Sequence, residues 1–268
     1  MNISNRTLHV ALLRAAIVAT LLMAWEALAA SGLLFRDVVP SLAAIGRAIG
    51  RVLAHPEFYA NLLATAGEIG AGLAIGGLCG LAVGILLGAN RFLSRAYEAL
   101  IYYLGPTPKI IFFPVMIMWF GVGAGSKIAM AAISCFFPIA ISTASGMRQI
   151  DRVLIRVGQS FRATTVQMVA KIYLPAMRQP VVNGVRLGLG VAIIGTLLAE
   201  TKLSNRGIGY LIIQAYSTFD MPRMYALLIV LFVLAIGANA VIGRFGTTAG
   251  QRPLAEVSAN APLDEDEK

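Results

Sequence analysis

The chain has 268 residues, 58% of them hydrophobic and only 13% charged, against about 25% charged in an ordinary soluble domain. That balance excludes a soluble globular enzyme and implies an integral membrane protein. The net charge of +9 does not point to a nucleic-acid partner, because the cations sit at the ends of apolar runs and in the loops between them.

A spanning helix needs roughly 20 mostly apolar residues, and six stretches qualify: 8–30, 62–88, 96–120, 127–147, 181–201 and 224–245. They leave no room for a separate soluble catalytic domain. The expected fold is all-α, a polytopic membrane protein embedded in a lipid bilayer. The polar start, with Arg6, precedes the first run, and Trp25-Glu26 follows it without a small-residue cleavage site, so the run is read as a retained first span.

The loop after the first span carries Pro40-Ser41, with Ser41 as an N-cap candidate. Leu42, Ile45, Ile49 and Val52 then share one helical face, which predicts a helix lying in the outer interface. His55 is read as an interfacial side chain. Residues 1–61 are expected to hold this helix and the first span.

The second span places Gly72, Gly76, Gly80, Gly84 and Gly88 four residues apart. This spacing lets another helix backbone approach closely and leaves open whether the partner lies in the same chain. The third and fourth spans contain Pro106, Pro108, Pro114 and Pro138, which predict bent helices. Cys79 and Cys135 fall inside spans and read as small core residues. Arg14, Glu26, Glu68, Lys109, Arg186 and Glu200 lie toward span ends, where long side chains reach headgroups.

Between the fourth and fifth spans lies a basic segment, about residues 148–180. It holds Arg148, Arg152, Arg156, Arg162, Lys171 and Arg178 against Asp151 alone. Cationic loops stay in the cytoplasm, so both termini are expected there as well. From Ile155 to Lys171 the polar residues recur at helical spacing, predicting an amphipathic helix that Leu174-Pro175 ends. After the fifth span, Gly207-Ile208-Gly209 precedes an apolar run and predicts a turn into a short interfacial or re-entrant helix. The polar tail, 246–268, is expected to be disordered.

No catalytic set emerges. His9 and His55 are not spaced for a metal, no serine or cysteine has an identifiable base, and the phosphate-loop pattern G-x-x-x-x-G-K-[ST] is absent. No cofactor is expected. No carboxylate is evident at mid-membrane, which argues against a proton-coupled secondary transporter.

At the basic loop the chain resembles the permease subunits of bacterial ABC importers of the nitrate/sulfonate/taurine group. Their loop follows E-A-A-x3-G-x9-I-x-L-P, and Ile172-x-Leu174-Pro175 fits its end. Arg156-Val157-Gly158 stands at the E-A-A site and Arg162 at the glycine. An arginine at positive φ is sterically costly, so a rebuilt or shallower bend is expected there. Pro106-x-Pro108-Lys109-Ile110, Trp119-Phe120-Gly121-x-Gly123, Ser126-Lys127-Ile128, Ala199-Glu200 and Gly207-Ile208-Gly209-Tyr210-Leu211-Ile212 resemble further family signatures in the same order.

The resemblance implies a type I importer permease with a core at 62–245 and coupling helices between spans four and five. It implies two ABC ATPase subunits, a second permease copy in a homodimer, and an extracytoplasmic solute-binding protein. ATP is then hydrolysed on the partner. The ATPase contact falls on Gln159, Ser160, Phe161, Arg162, Ala163 and Thr164, with Ile172, Leu174 and Pro175 behind it. The implied cargo is a small organic anion (an alkanesulfonate, taurine or nitrate), with a pyrimidine precursor or an aromatic acid as the alternative.

Overall fold

The computed structural model describes residues 3–32 and 38–247. Twelve helices follow one another among them: α1 Ile3–Ser31, α2 Leu42–Ala54, α3 Pro56–Ala89, α4 Arg91–Leu104, α5 Phe113–Phe120, α6 Ala124–Arg148, α7 Arg152–Ser160, α8 Thr165–Met168, α9 Leu174–Ala176, α10 Arg178–Lys202, α11 Ile208–Ser217 and α12 Met221–Thr247. Five are long and apolar enough to cross a membrane, and there are six if one pair of helices bent against each other counts as a single span. Nearly all of the tail expected at 246–268 lies outside the described residues.

The third span is not one helix. Arg91–Leu104 and Lys109–Phe120 meet at 90°, with Gly105, Pro106, Thr107 and Pro108 at the corner. Two prolines in three residues remove two N–H donors, while Gly105 before the first of them still holds an α conformation, with φ −54° and ψ −53°. Pro138, by contrast, lies inside a continuous α6.

The core of the bundle is α6, held between α3 and α10. The glycine ladder of α3 lies along α6 in the same chain, which settles its partner. A Cβ at Gly80 would sit 2.7 Å from the Phe136 carbonyl oxygen, and one at Gly84 would sit 2.7 Å from that of Ala140. The opposite face of α6 meets a second set of glycines on α10. A Cβ at Gly184 would lie 2.7 Å from Ser142 Cβ, and one at Gly195 would lie 2.7 Å from Ser134 Oγ. Lipid tails are as apolar as leucine, so close backbone approach rather than hydrophobic exclusion holds such helices together. Cys135 is buried at this contact, whereas Cys79 is exposed and is not a core residue.

Ser41 caps α2 as expected, its Oγ accepting from Ala44 N at 3.3 Å. The apolar face of α2 is covered by protein rather than by the interface. Ala48 and Val52 pack with Phe58, Ile208, Leu211, Ala226 and Leu227. α1 touches the bundle near its end: Trp25 stacks edge-on against Tyr225 at 5.4 Å, Trp25 Nε1 donates to Pro40 O, and Glu26 accepts from Leu42 N at 2.9 Å.

Candidate functional site

The basic loop folds as an elbow, not as one amphipathic helix. Asp151 caps α7 by accepting from Val153 N at 2.8 Å. α7 stops at Phe161, and Arg162 then takes a left-handed φ of 51°. Arg162 N donates to Gln159 O at 2.9 Å and Ala163 N to Gly158 O at 3.0 Å. Those two bonds form a Schellman C-cap, in which the residue after the cap is usually glycine. The bend expected to be rebuilt or shallower is therefore kept, with an arginine carrying the strained conformation.

The next residues start a new helix at once. Thr164 Oγ1 accepts from Gln167 N, and Gln167 Oε1 accepts from Thr164 N at 2.9 Å, a reciprocal capping box. A Schellman stop followed two residues later by a capping box makes the tip stiff. Its outer surface shows apolar side chains to solvent: Phe161 is 83% and Val166 77% exposed. Gln159, Ser160, Arg162 and Thr164 are exposed around them, and Ala163 is half-buried.

Ile172, Leu174 and Pro175 play a different part from the tip. A Cβ at Gly158 would meet Ile172 Cδ1 and Met168 Sδ, so Gly158 at the family's alanine site lets α7 cross closely over the following segment. Leu174 packs against the buried group Met147, Ile150 and Met177. That group ties the elbow to the end of α6 and the start of α10. Pro175 is exposed, and a π-helical turn, Val169–Tyr173, runs up to Leu174. The chain does not stop at Pro175 but turns at Met177 into α10.

At the opposite end of the bundle is a polar knot. Glu68 and Glu200 were expected to reach for headgroups, but both are buried, Glu68 to 3% exposure, with Lys127 beside them at 1%. α11 begins at Gly207, whose φ is 107°. The free N–H groups of its first turn are taken by side chains from other helices. Gly207 N donates to Asn61 Oδ1 at 2.6 Å, Ile208 N to Thr65 Oγ1 at 2.8 Å and Gly209 N to Glu200 Oε2 at 2.6 Å. Thr65 Oγ1 in turn donates to Glu200 Oε1 at 2.6 Å.

A helix N-terminus favours negative charge through the helix dipole, and here the Glu200 carboxyl group is seated on it. The turn needs glycine because a Cβ at Gly207 would strike the Glu200 carboxyl group. The Glu68 carboxyl group lies beside that of Glu200, and its other charged neighbours among the described residues are Lys127 and Arg206. Lys127 Nζ donates to Val122 O and Gly123 O, at 2.9 and 3.1 Å. Glu200 and Gly207-x-Gly209 lie seven residues apart in the sequence. An acid in an apolar span followed by Gly-x-Gly at a helix start is the signal that they belong together.

A bundle of this kind, with a stiff exposed elbow between two of its spans, defines a membrane permease subunit. Residues 76–248 match the binding-protein-dependent transport system inner membrane component, and the chain belongs to that family. It is a multi-pass membrane protein, the inner-membrane permease component of a binding-protein-dependent ABC transport system.

Among its relatives is the putative aliphatic sulfonates transport permease protein SsuC of Escherichia coli K12, 30% identical, covering 85% of this chain and 83% of that protein. SsuC of Bacillus subtilis 168 is 28% identical over 81% of this chain and 78% of its own length. The formylaminopyrimidine transport permease protein ThiX of Halalkalibacterium halodurans is 28% identical over 71% and 76%. The fold is similar to that of a chain in the inward-facing MetNI methionine ABC transporter, with a TM-score of 0.59 at 21% identity, covering 78% of this chain and 98% of that one.

Proposed function

We propose that this permease moves a small organic anion of the sulfonate or taurine type, as one of two identical copies driven by two ATPase subunits. The permease core is residues 62–245, and both termini and the elbow face the cytoplasm. An even number of crossings, counting the bent pair as one, supports termini on the same side, and the density of Lys and Arg in the 148–180 loop supports that side being the cytoplasm.

The observation that carries the reading is the elbow. Phe161 and Val166 are held out on a doubly capped bend that cannot bury them within the chain. Large aromatic groups set in a rigid frame are suited to anchoring a protein contact. The ATPase seats on Gln159, Ser160, Phe161, Arg162, Ala163 and Thr164. Ile172, Leu174 and Pro175 carry its displacement into α6 and α10. When ATP draws the two ATPase subunits together, the elbows follow, and the bundle exchanges an inward-open for an outward-open arrangement. The similarity to ThiX supports a second reading for the cargo, a pyrimidine precursor.

The test is Arg162→Glu in the complex reconstituted with ATPase and binding protein. Substrate-stimulated ATP hydrolysis is expected to be lost while membrane insertion is unchanged. Normal stimulation in that variant would remove the elbow from the coupling path.

A further inference from the structure

The corner that breaks the third span lines a cavity of about 560 Å³ between α4, α6 and α10. Its depth follows from helix lengths. At 1.5 Å per residue the 14 residues of α4 rise about 21 Å from Arg91 to the corner, and the wall residue Pro138 lies about 15 Å from Arg148 along α6. Within a hydrocarbon core of about 30 Å, the α6 distance places the cavity wall near mid-membrane, and the α4 distance keeps the corner within the same core. Irregular backbone at that depth is tolerated only where protein buries it or where it lines a cavity, and interrupted helices of this kind build solute sites in other transporters.

The chemistry of the wall is one-sided. Lys109, the first residue after the corner, is the single charged group among the described lining residues, with no aspartate or glutamate beside it. Its ammonium donates to Gly105 O and lies 4.9 Å from the Phe137 ring centroid. An ammonium has three donors, so two remain for a ligand. Tyr102, Thr107 and Ser134 add hydroxyl groups, while Val191 and Ile194 of α10 make the far wall apolar.

We propose that this cavity is the transit site for the cargo, and that Lys109 makes it selective for a small anion with an apolar body. The inference rests on the importer reading and adds the residue that chooses charge. A sulfonate or carboxylate head meets the ammonium and the hydroxyl groups, and its carbon chain lies against the α10 wall. A dry wall with a lone cation favours an anion and disfavours a cation by direct repulsion. The tie between Lys109 and Gly105 holds the ammonium at the corner, so a movement of α4 against α6 carries the charge with it.

The experiment uses the full complex of permease, ATPase and binding protein in proteoliposomes, with ethanesulfonate as probe and ATP hydrolysis measured alongside uptake. Lys109→Met is expected to lower ethanesulfonate moved per ATP hydrolysed at least tenfold, and Lys109→Arg to restore most of it. Thr107→Asp, which places a counterion beside an intact Lys109, is expected to give the same loss and serves if Lys109→Met does not fold. Equal transport ratios in Lys109→Met and wild type would overturn the proposal. So would wild-type complexes that import only uncharged or cationic solutes. Complexes with no ATP-dependent uptake of any solute would overturn the importer reading itself.

Discussion

Arg162 sits in a backbone conformation that its side chain opposes, and substitution there gives a measurable sign. A left-handed conformation costs an L-residue about 1–2 kcal/mol. Among the described residues the Arg162 side chain makes no hydrogen bond or ion pair, so Arg162→Gly removes the strain without removing a side-chain bond. Glycine also frees the unfolded chain, which takes back about 0.4–1 kcal/mol. The net expectation is an elbow more stable by about 1 kcal/mol, or roughly fivefold in its opening equilibrium. Arg162→Val should go the other way, because a β-branched residue fits positive φ least well. The assay is hydrogen exchange at the amides of Arg162 and Ala163, whose acceptors are Gln159 O and Gly158 O. Slower exchange in the glycine variant and faster exchange in the valine variant are expected. Exchange that is unchanged in both would show that the left-handed bend is not what stabilises the elbow.

Other substitutions follow from the packing and the polar knot. Gly76→Ala would set a Cβ against the Ala132 carbonyl, which cannot rotate away. Its overpacking cost of about 1–3 kcal/mol exceeds the helix-propensity gain of about 1. Gly70→Ala, with nothing within 4 Å, should keep that gain, so melting of the purified protein should shift in opposite directions for the two. Thr65→Val leaves Ile208 N and one Glu200 oxygen without their partner, and should cost about 1–3 kcal/mol for each group, read by thermal unfolding. Phe161→Ala should weaken retention of the ATPase by about 2 kcal/mol in a titration of the detergent-solubilised permease, with melting unchanged. Equal affinity would move the contact off Phe161.

The spans and the elbow's position were legible because their signals are local. A run of about 20 apolar residues marks a crossing whatever it packs against, and the i, i+4 spacing of Gly72 to Gly88 marks a close helix face. The α10 glycines that cover the other side of α6 are less regularly spaced and went unread. The right-angle corner at 105–108 was underestimated because two prolines with a glycine before them end a helix, whereas a single interior proline such as Pro138 bends it. The split between α7 and α8 was hidden because Arg162 is not a turn-forming residue. Only the backbone bonds to Gln159 and Gly158 disclose the cap. Glu68 and Glu200 are assigned toward span ends by their place in the sequence. Which way they turn depends on three helices meeting, and no single helical face records that.

The packing also determines where motion can occur. Along α6 the glycines of α3 bring backbone against backbone, their added Cβ atoms meeting carbonyl groups of α6, while those of α10 close on the side chains of Ser142, Ile139 and Ser134. Contacts of this kind do not slide gradually, because close-packed interfaces have discrete arrangements rather than a continuum. The three helices therefore move as one body. The elbow is joined to this body at Met147 and Met177, and the turn before α11 is joined to it through Thr65 and Glu200. The remaining freedom lies at the corner between α4 and α5, where no continuous helical ladder joins the two halves of the span. A pull on Phe161 reaches that corner only by shifting the whole body past it. The proposed transit cavity is lined by the same corner, with Lys109 as the first residue after it.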